Sequence, residues 1–300
     1  RELNPSTDKE CLDIMAWLSP LDFWKKQNDV FVKRQEGTGE WILDSKEFND
    51  WLFGSGTTLW FPGIPGAGKT VLASIVVNHL REQLKNDASI GIVCIYCNYK
   101  EEHIQSPVNL IASLWAQLVQ NSGSLSGEVK DLYRTHIRQH SSPTLSDMSK
   151  ILQSEIGRYS KIFVVVDALD ECPESNRSAM LKELRALQPT INLLVTSRFL
   201  DSIANDFEGA TRLEISASAK DVQTYAIGRI SREQRLSRLI GKDAALGKAI
   251  VETVVGNSKK MYEVLHYHIN WSLPSYLYAK YISQVLTSSA SYGLPGYEGN

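Results

Sequence analysis

One stretch of this chain fits the phosphate-binding pattern G-x-x-x-x-G-K-[ST] at every fixed position. Glycines let such a loop curl until its backbone N–H groups point at phosphate oxygens, and the lysine adds charge for the outer phosphates. The hydroxyl of the last pattern residue can hold Mg²⁺, which makes Thr70 a candidate metal ligand. The predicted cofactor-binding residues are Gly63, Ile64, Pro65, Gly66, Ala67, Gly68, Lys69, Thr70 and Val71.

A second group of reactive side chains follows an unbroken apolar run, Lys161–Asp167, which is typical of a central strand covered on both faces. Ligands bind at the carboxyl ends of the strands in an open α/β sheet. Asp167 is therefore a predicted Mg²⁺ ligand, directly or through water. Asp170 and Glu171 come next, where a carboxylate could orient an attacking water.

A third candidate lies at the end of the next apolar run, residues 191–196, which Ser197 and Arg198 follow. The guanidinium of Arg198 offers a planar set of donors suited to the γ-phosphate. The alternative is a surface arginine beside a turn. The candidate catalytic residues are thus Glu171, Asp170 and Arg198.

Together, the segments 63–70, 167–171 and 196–198 resemble NACHT-type P-loop NTPases of the signal-transducing (STAND) class. The similarity is greatest to the nucleotide-binding segment of fungal incompatibility-type and nephrocystin-like proteins. Three further stretches share it, namely Trp17-Leu18-Ser19-Pro20-Leu21-Asp22, Gly37-Thr38-Gly39-Glu40-Trp41 and Leu213-Glu214-Ile215-Ser216 followed by Asp221. Ala168 departs from the family, which often has glycine there, and residues 262–300 do not match its pattern.

The resemblance implies a nucleotide-binding signalling switch with slow NTP hydrolysis, as in innate immunity and heterokaryon incompatibility. It implies further protein domains or self-association on activation as partners. ATP is favoured over GTP, because the Asn-Lys-x-Asp element that reads guanine is absent from the sequence. The segment around Trp41 either holds the base or packs in the core. The alternatives are a kinase or other phosphotransferase acting on a small-molecule acceptor, and a scaffold that binds no nucleotide.

Alternating strand and helix patterns predict an α/β fold, a doubly wound parallel sheet with a P-loop NTPase core and a small C-terminal helical lid. The predicted organisation is a helical segment (1–40), the core (41–216), the lid (217–258) and an unplaced tail (259–300). The predicted strands cover residues 57–61, 89–97, 161–167, 191–196 and 212–215. The predicted lid helices cover residues 221–230, 232–240 and 244–255.

Composition bears on which partners the protein binds and where in the cell it is expected. A net charge of -2 gives no basic excess for nucleic acid, and no apolar run is long enough to span a membrane. No signal peptide is visible, so a cytoplasmic location is expected. Cys94 and Cys97 have C-x-x-C spacing, but in a strand this offset places them on opposite faces, which argues against a metal or redox pair.

Overall fold

The computed structural model describes residues 5–122 and 125–232, together with residues 237, 247–249 and 251–252. The strands are β1 Thr58–Pro62, β2 Ile90–Tyr96, β3 Lys161–Asp167, β4 Ile191–Ser197 and β5 Thr211–Arg212. The helices are α1 Pro5–Leu18, α2 Phe23–Lys33, α3 Lys46–Phe53, α4 Lys69–Leu84, α5 Pro107–Ser122, α6 Gly127–Gln139, α7 Leu145–Ile156, α8 Glu174–Ala186, α9 Asp201–Asp206 and α10 Ala219–Arg232. Short 3₁₀ turns cover Glu40–Ile42, Tyr99–Glu101 and Leu169–Glu171.

The strands form a parallel sheet in the order β2-β3-β4-β1-β5. Strand β4 pairs with β1 on one side and with β3 on the other, so Val195 is opposite both Trp60 and Val166. This register brings the carboxyl ends of β1, β3 and β4 to one edge of the sheet. The α/β, doubly wound parallel prediction is confirmed, and each apolar run is buried as a strand covered on both faces should be.

Helix α4 is fixed to the sheet by a buried polar link as well as by its apolar face. Gln27 of α2 donates from Nε2 to the Ser74 carbonyl of α4 at 2.9 Å, and its Oε1 accepts the hydroxyl proton of Tyr96 at the end of β2. Because buried polar groups are costly unless paired, this link sets the position of α4 against β2. Helix α4 begins at Lys69, so its N-terminus is held where the phosphate-binding pattern ends.

Some elements differ from the prediction. Strand β5 is only two residues long, although Ile215 forms an isolated parallel bridge with Gly63. Helix α9 was not predicted, because six residues carry too little periodicity to be recognised. The predicted helix at 221–230 corresponds to α10. Most of the predicted helices 232–240 and 244–255, and all of the tail 259–300, lie outside the described residues.

The chain divides into two compact units. The first contains the described parts of Arg1–Arg34, with Gly39–Ile64 and Lys69–Ile215. The second contains Gln35–Thr38, Pro65–Gly68 and the described part of Ser216–Asn300. Across the part of the chain that the structure describes, no helix is both long and apolar enough to cross a membrane.

Candidate functional site

Gly63 begins the phosphate-binding pattern and is confined by backbone on both sides. Its N–H donates to the Ser197 carbonyl at 3.0 Å, and Ile215 forms a bridge with it on the other side. A Cβ atom at this position would lie 2.6 Å from the Ile215 carbonyl oxygen, closer than non-bonded atoms approach. The first position of the pattern therefore requires glycine for steric reasons, independent of any ligand.

The rest of the loop has the backbone conformation that glycine makes accessible. Gly66 and Gly68 have φ values of 72° and 87°, in the left-handed region. Helix α4 follows, and the Nζ of Lys69 donates to the carbonyl oxygens of Gly63 at 2.8 Å and Ile64 at 3.0 Å. The ammonium group thus lies against the beginning of the loop, at the N-terminus of a helix whose dipole favours an anion.

Asp167 ends β3 with 2% of its surface exposed. Its Oδ1 accepts a hydrogen bond from the Thr196 hydroxyl at 2.6 Å, and the Thr70 hydroxyl also hydrogen-bonds to its carboxylate. Burial raises the pKa of Asp167, while the two hydroxyls and the charge of Lys69 oppose that rise. The two predicted metal ligands, Thr70 and Asp167, are therefore in contact, and their oxygens are of the kind that Mg²⁺ prefers.

Thr196 connects the Asp167 carboxylate with Ala168, a role that the sequence did not predict. Its Oγ1 donates to Asp167 and accepts from the Ala168 N–H at 2.9 Å. Ala168 has φ 54° and ψ 46°, a left-handed conformation that explains why glycine suits this position. The hydroxyl of Thr196 therefore holds both the carboxylate of Asp167 and the strained residue that follows it.

Asp170 is engaged with the third predicted residue. Its Oδ1 accepts from the Arg198 backbone N–H at 2.9 Å, and its Oδ2 lies 3.0 Å from the Arg198 Nε. The Asp170 side chain is only 7% exposed, whereas that of Arg198 is 54% exposed. This arrangement makes Asp170 a partner for the end of β4, with its oxygens directed at Arg198.

Glu171, the other predicted acidic residue, makes a weaker contact. Its Oε2 accepts from the Tyr99 backbone N–H at 3.4 Å, and the residue is half-buried. Asp170 and Glu171 both belong to the 3₁₀ turn that follows β3, so one backbone element positions them at the carboxyl edge of the sheet. Their environments differ, and the carboxylate of Glu171 is the one more available to a water molecule.

Two cysteines lie beside this turn. The Cys97 N–H donates to the Asp167 carbonyl at 3.0 Å, and Cys172 closes the turn with its N–H donating to the Leu169 carbonyl at 3.2 Å. The Cys97 thiol donates to the Cys172 sulfur, which raises the pKa of Cys97 and lowers that of Cys172. Cys94 has a different neighbour, because its Sγ donates to Gln117 Oε1 at 3.6 Å.

Two further observations bear on ligands. Among the described residues, no group of three or more His, Cys, Asp or Glu side chains could hold a metal ion, so the Mg²⁺ prediction depends on the Thr70–Asp167 pair.

Trp41 is half-buried in the 3₁₀ turn Glu40–Ile42, while its neighbour Ile42 is fully buried. Ile42 is therefore the core residue of this turn. That Trp41 holds the base, or packs in the core, stays a prediction.

Comparison with known proteins gives a match to a family model and a relative that is matched over part of its length. The family model described as Nephrocystin 3, N-terminal, matches residues 37–198. The vegetative incompatibility protein HET-E-1 of Podospora anserina is 24% identical over 197 residues, which is 61% of this chain and 14% of HET-E-1. The chain therefore corresponds to a small part of that relative.

Comparison with solved structures gives partial matches, two of which follow. The Aeropyrum pernix ORC1 protein in complex with DNA is 14% identical, with a TM-score of 0.42 over 65% of this chain and 49% of ORC1. AMPPCP-bound DnaA from Aquifex aeolicus is 10% identical, with a TM-score of 0.39 over 83% of this chain and 67% of DnaA.

Proposed function

Because the chain belongs to the nephrocystin 3 N-terminal family, we propose that it is an ATP-binding signalling switch that hydrolyses its nucleotide slowly. The observation that supports this most strongly is the contact between Asp167 and the hydroxyls of Thr70 and Thr196. It joins the end of β3, the start of α4 and the end of β4 at the carboxyl edge of a parallel sheet, where such folds bind ligands.

Each candidate residue has a role in this proposal. The loop from Gly63 to Val71 binds the phosphates through backbone N–H groups, and Lys69 moves from the loop carbonyls to the β- and γ-phosphates. Thr70 and Asp167 would hold Mg²⁺, which supplies charge neutralisation to the phosphates when bound. Glu171 orients and deprotonates the attacking water, which a side chain with one weak hydrogen bond is free to do.

Arg198 is the residue that distinguishes ATP from ADP in this proposal. Its guanidinium is over half exposed and ion-paired with Asp170, so turning to a γ-phosphate requires exchanging one anionic partner for another. ADP lacks the phosphate that would compete with Asp170. The two nucleotides therefore stabilise different arrangements of the end of β4, as a ligand-driven switch requires.

The setting of this switch is also a proposal. HET-E-1 is much longer than the region matched here, so we propose that this chain acts within a larger signalling protein, with other domains or a second copy as partners. We favour hydrolysis over transfer to an acceptor, because the acidic turn carries a carboxylate close to the proposed metal ligand Asp167. Within the residues that the structure describes, no feature favours a phosphotransferase.

Phosphate release from Mg-ATP tests this function. Slow, Mg²⁺-dependent release that does not rise with small-molecule acceptors is expected. Transfer of the γ-phosphate to an added acceptor would replace the switch with a phosphotransferase. If the protein neither binds Mg-ATP nor releases phosphate, the remaining interpretation is a scaffold that binds no nucleotide.

A further inference from the structure

Trp60, in the middle of β1, contacts the residues on both sides of Arg198. Its indole is buried, with 3% of its surface exposed, and its Nε1 donates to the Ser197 hydroxyl at 2.9 Å. The parallel register accounts for this bond, because Trp60 is opposite Val195 and Ser197 lies two residues further along β4, on the same face of the sheet. The bond joins the strand that leads into the phosphate-binding loop to the end of β4.

The Ser197 hydroxyl connects the indole to the backbone of Arg198. Its Oγ accepts from Trp60 Nε1 and donates to the Arg198 carbonyl oxygen at 2.8 Å. The Ser197 carbonyl accepts from the Gly63 N–H at 3.0 Å, so β1 holds this residue through its side chain and the loop holds it through its backbone. Because a buried indole N–H without a partner is costly, the hydroxyl is needed on the residue that precedes Arg198.

The ring of Phe199 holds the other side of Arg198. It stacks on the Trp60 indole with ring centroids 5.8 Å apart and planes at 25°, and Phe207 stacks on the same indole at 5.7 Å and 21°. The guanidinium carbon of Arg212 lies 4.7 Å from the centroid of the Phe199 ring. Because half of the Phe199 surface is exposed, these ring contacts are what orients it.

We propose that Trp60 is a positioning residue for Arg198 and acts through the two residues that flank it. The indole fixes the backbone on both sides of Arg198, while the side chain, which is 54% exposed, stays able to exchange Asp170 for a γ-phosphate. A fixed backbone lowers the entropy that is lost when the guanidinium binds a phosphate. The effect on discrimination between ATP and ADP rests on the proposed function, whereas the position of the Arg198 backbone depends on no nucleotide.

Tryptic cleavage after Arg198 tests the positioning in the absence of nucleotide. Cleavage of a folded chain requires the segment to open locally, so its rate reports how firmly the backbone is held. Trp60→Phe keeps an aromatic ring but removes the Nε1 donor, and Ser197→Ala removes the acceptor. Each variant is expected to be cleaved after Arg198 about 3- to 10-fold faster than the wild type, the effect of one lost hydrogen bond. The double variant should be cleaved little faster than Ser197→Ala, because both changes remove the same contact.

Trp51→Phe is the matched control. Trp51 of α3 is also buried, and its Nε1 donates at 3.1 Å to the Leu193 carbonyl, nearer the start of β4. Trp51→Phe should lower the midpoint of urea unfolding as Trp60→Phe does, but leave cleavage after Arg198 at the wild-type rate. Equal acceleration in these two variants, or no acceleration in Trp60→Phe and Ser197→Ala, would overturn the proposal. If Trp60→Phe fails to fold, the comparison of Ser197→Ala with Trp51→Phe decides.

Calorimetry with Mg-ATP and with Mg-ADP tests the consequence for the switch. The ratio of the two affinities is expected to move about 3- to 10-fold closer to one in Trp60→Phe and Ser197→Ala, and to stay unchanged in Trp51→Phe. Faster cleavage with an unchanged ratio would refute a role for Trp60 in discrimination. A wild type that binds neither nucleotide would refute the proposed function, while cleavage would still decide whether Trp60 positions Arg198.

Discussion

Arg198 and Asp170 are joined by two contacts, one from the backbone N–H to Oδ1 at 2.9 Å and one from Nε to Oδ2 at 3.0 Å. The pair links the end of β4 to the turn after β3. Because the Arg198 side chain is more than half exposed, solvent weakens the ionic part of the link. The contact positions Arg198, and its exposed ionic part is the one that a phosphate displaces in the proposed switch.

Arg198→Ala is expected to reduce the difference between ATP and ADP affinity while leaving ADP affinity nearly unchanged. The reason is that only the γ-phosphate competes with Asp170 for the guanidinium. Calorimetric titrations with each nucleotide measure the two affinities, and limited proteolysis with ATP and with ADP should give converging patterns. Equal losses for ATP and ADP would show that Arg198 is a general binding or structural residue.

Glu171→Gln is expected to keep Mg-ATP binding and to slow phosphate release by roughly 10²–10⁴-fold, the usual loss for a general base. Glutamine has the shape of glutamate but cannot accept the proton. Asp170→Asn is the matched comparison, because asparagine can still accept the Arg198 N–H, and it should change the rate much less. The roles would be exchanged if Asp170→Asn produced the larger loss.

Thr196→Val is expected to lower the free energy of unfolding by about 1–3 kcal/mol, because it leaves the buried Asp167 carboxylate and the Ala168 N–H each short of a partner. Urea denaturation measures the loss, and calorimetry should show weaker Mg-ATP binding. Thr196→Ser retains the hydroxyl and should bind Mg-ATP as the wild type does. Identical binding by the two variants would contradict a positioning role for this hydroxyl.

Ala168→Gly is expected to raise the free energy of unfolding by about 1 kcal/mol. A left-handed conformation costs alanine ~1–2 kcal/mol, and glycine removes that cost. The greater conformational entropy of glycine in the unfolded chain offsets part of the resulting stabilisation. Ala179→Gly, inside helix α8, is the control and should lose about 1 kcal/mol. If both variants lose stability in urea, the conformation of Ala168 is not the source of strain.

The local elements of the site could be predicted from sequence because each depends on neighbouring residues. The glycine spacing from Gly63 to Gly68 indicates a phosphate-binding loop, and the apolar runs before Asp167 and Arg198 indicate central strands. Pairing of β4 with β1 then places Ser197 opposite Pro62, directly before the loop.

Contacts between distant residues could not be predicted in the same way. The hydrogen bond from the Cys97 N–H to the Asp167 carbonyl requires the register of β2 against β3, and the Arg198–Asp170 pair requires the path of the turn after β3. The hydroxyl of Thr196 is one of many strand hydroxyls in sequence, and only the pairing of β4 with β3 brings it to Asp167. These relations follow from tertiary structure, whereas composition and periodicity report local preference.

Titration of Mg-ATP into the wild type and Lys69→Ala by calorimetry tests the central claim, that the Gly63–Thr70 loop binds the nucleotide. Loss of the charge-assisted phosphate contact should cost at least roughly 1.5–3 kcal/mol, which reduces binding more than tenfold. Lys85→Ala is the control, because Lys85 is exposed beside Glu82 just after α4 and should leave affinity unchanged. Saturable binding by the wild type that Lys69→Ala abolishes is the predicted result, and equal affinities for the wild type and Lys69→Ala would contradict the account.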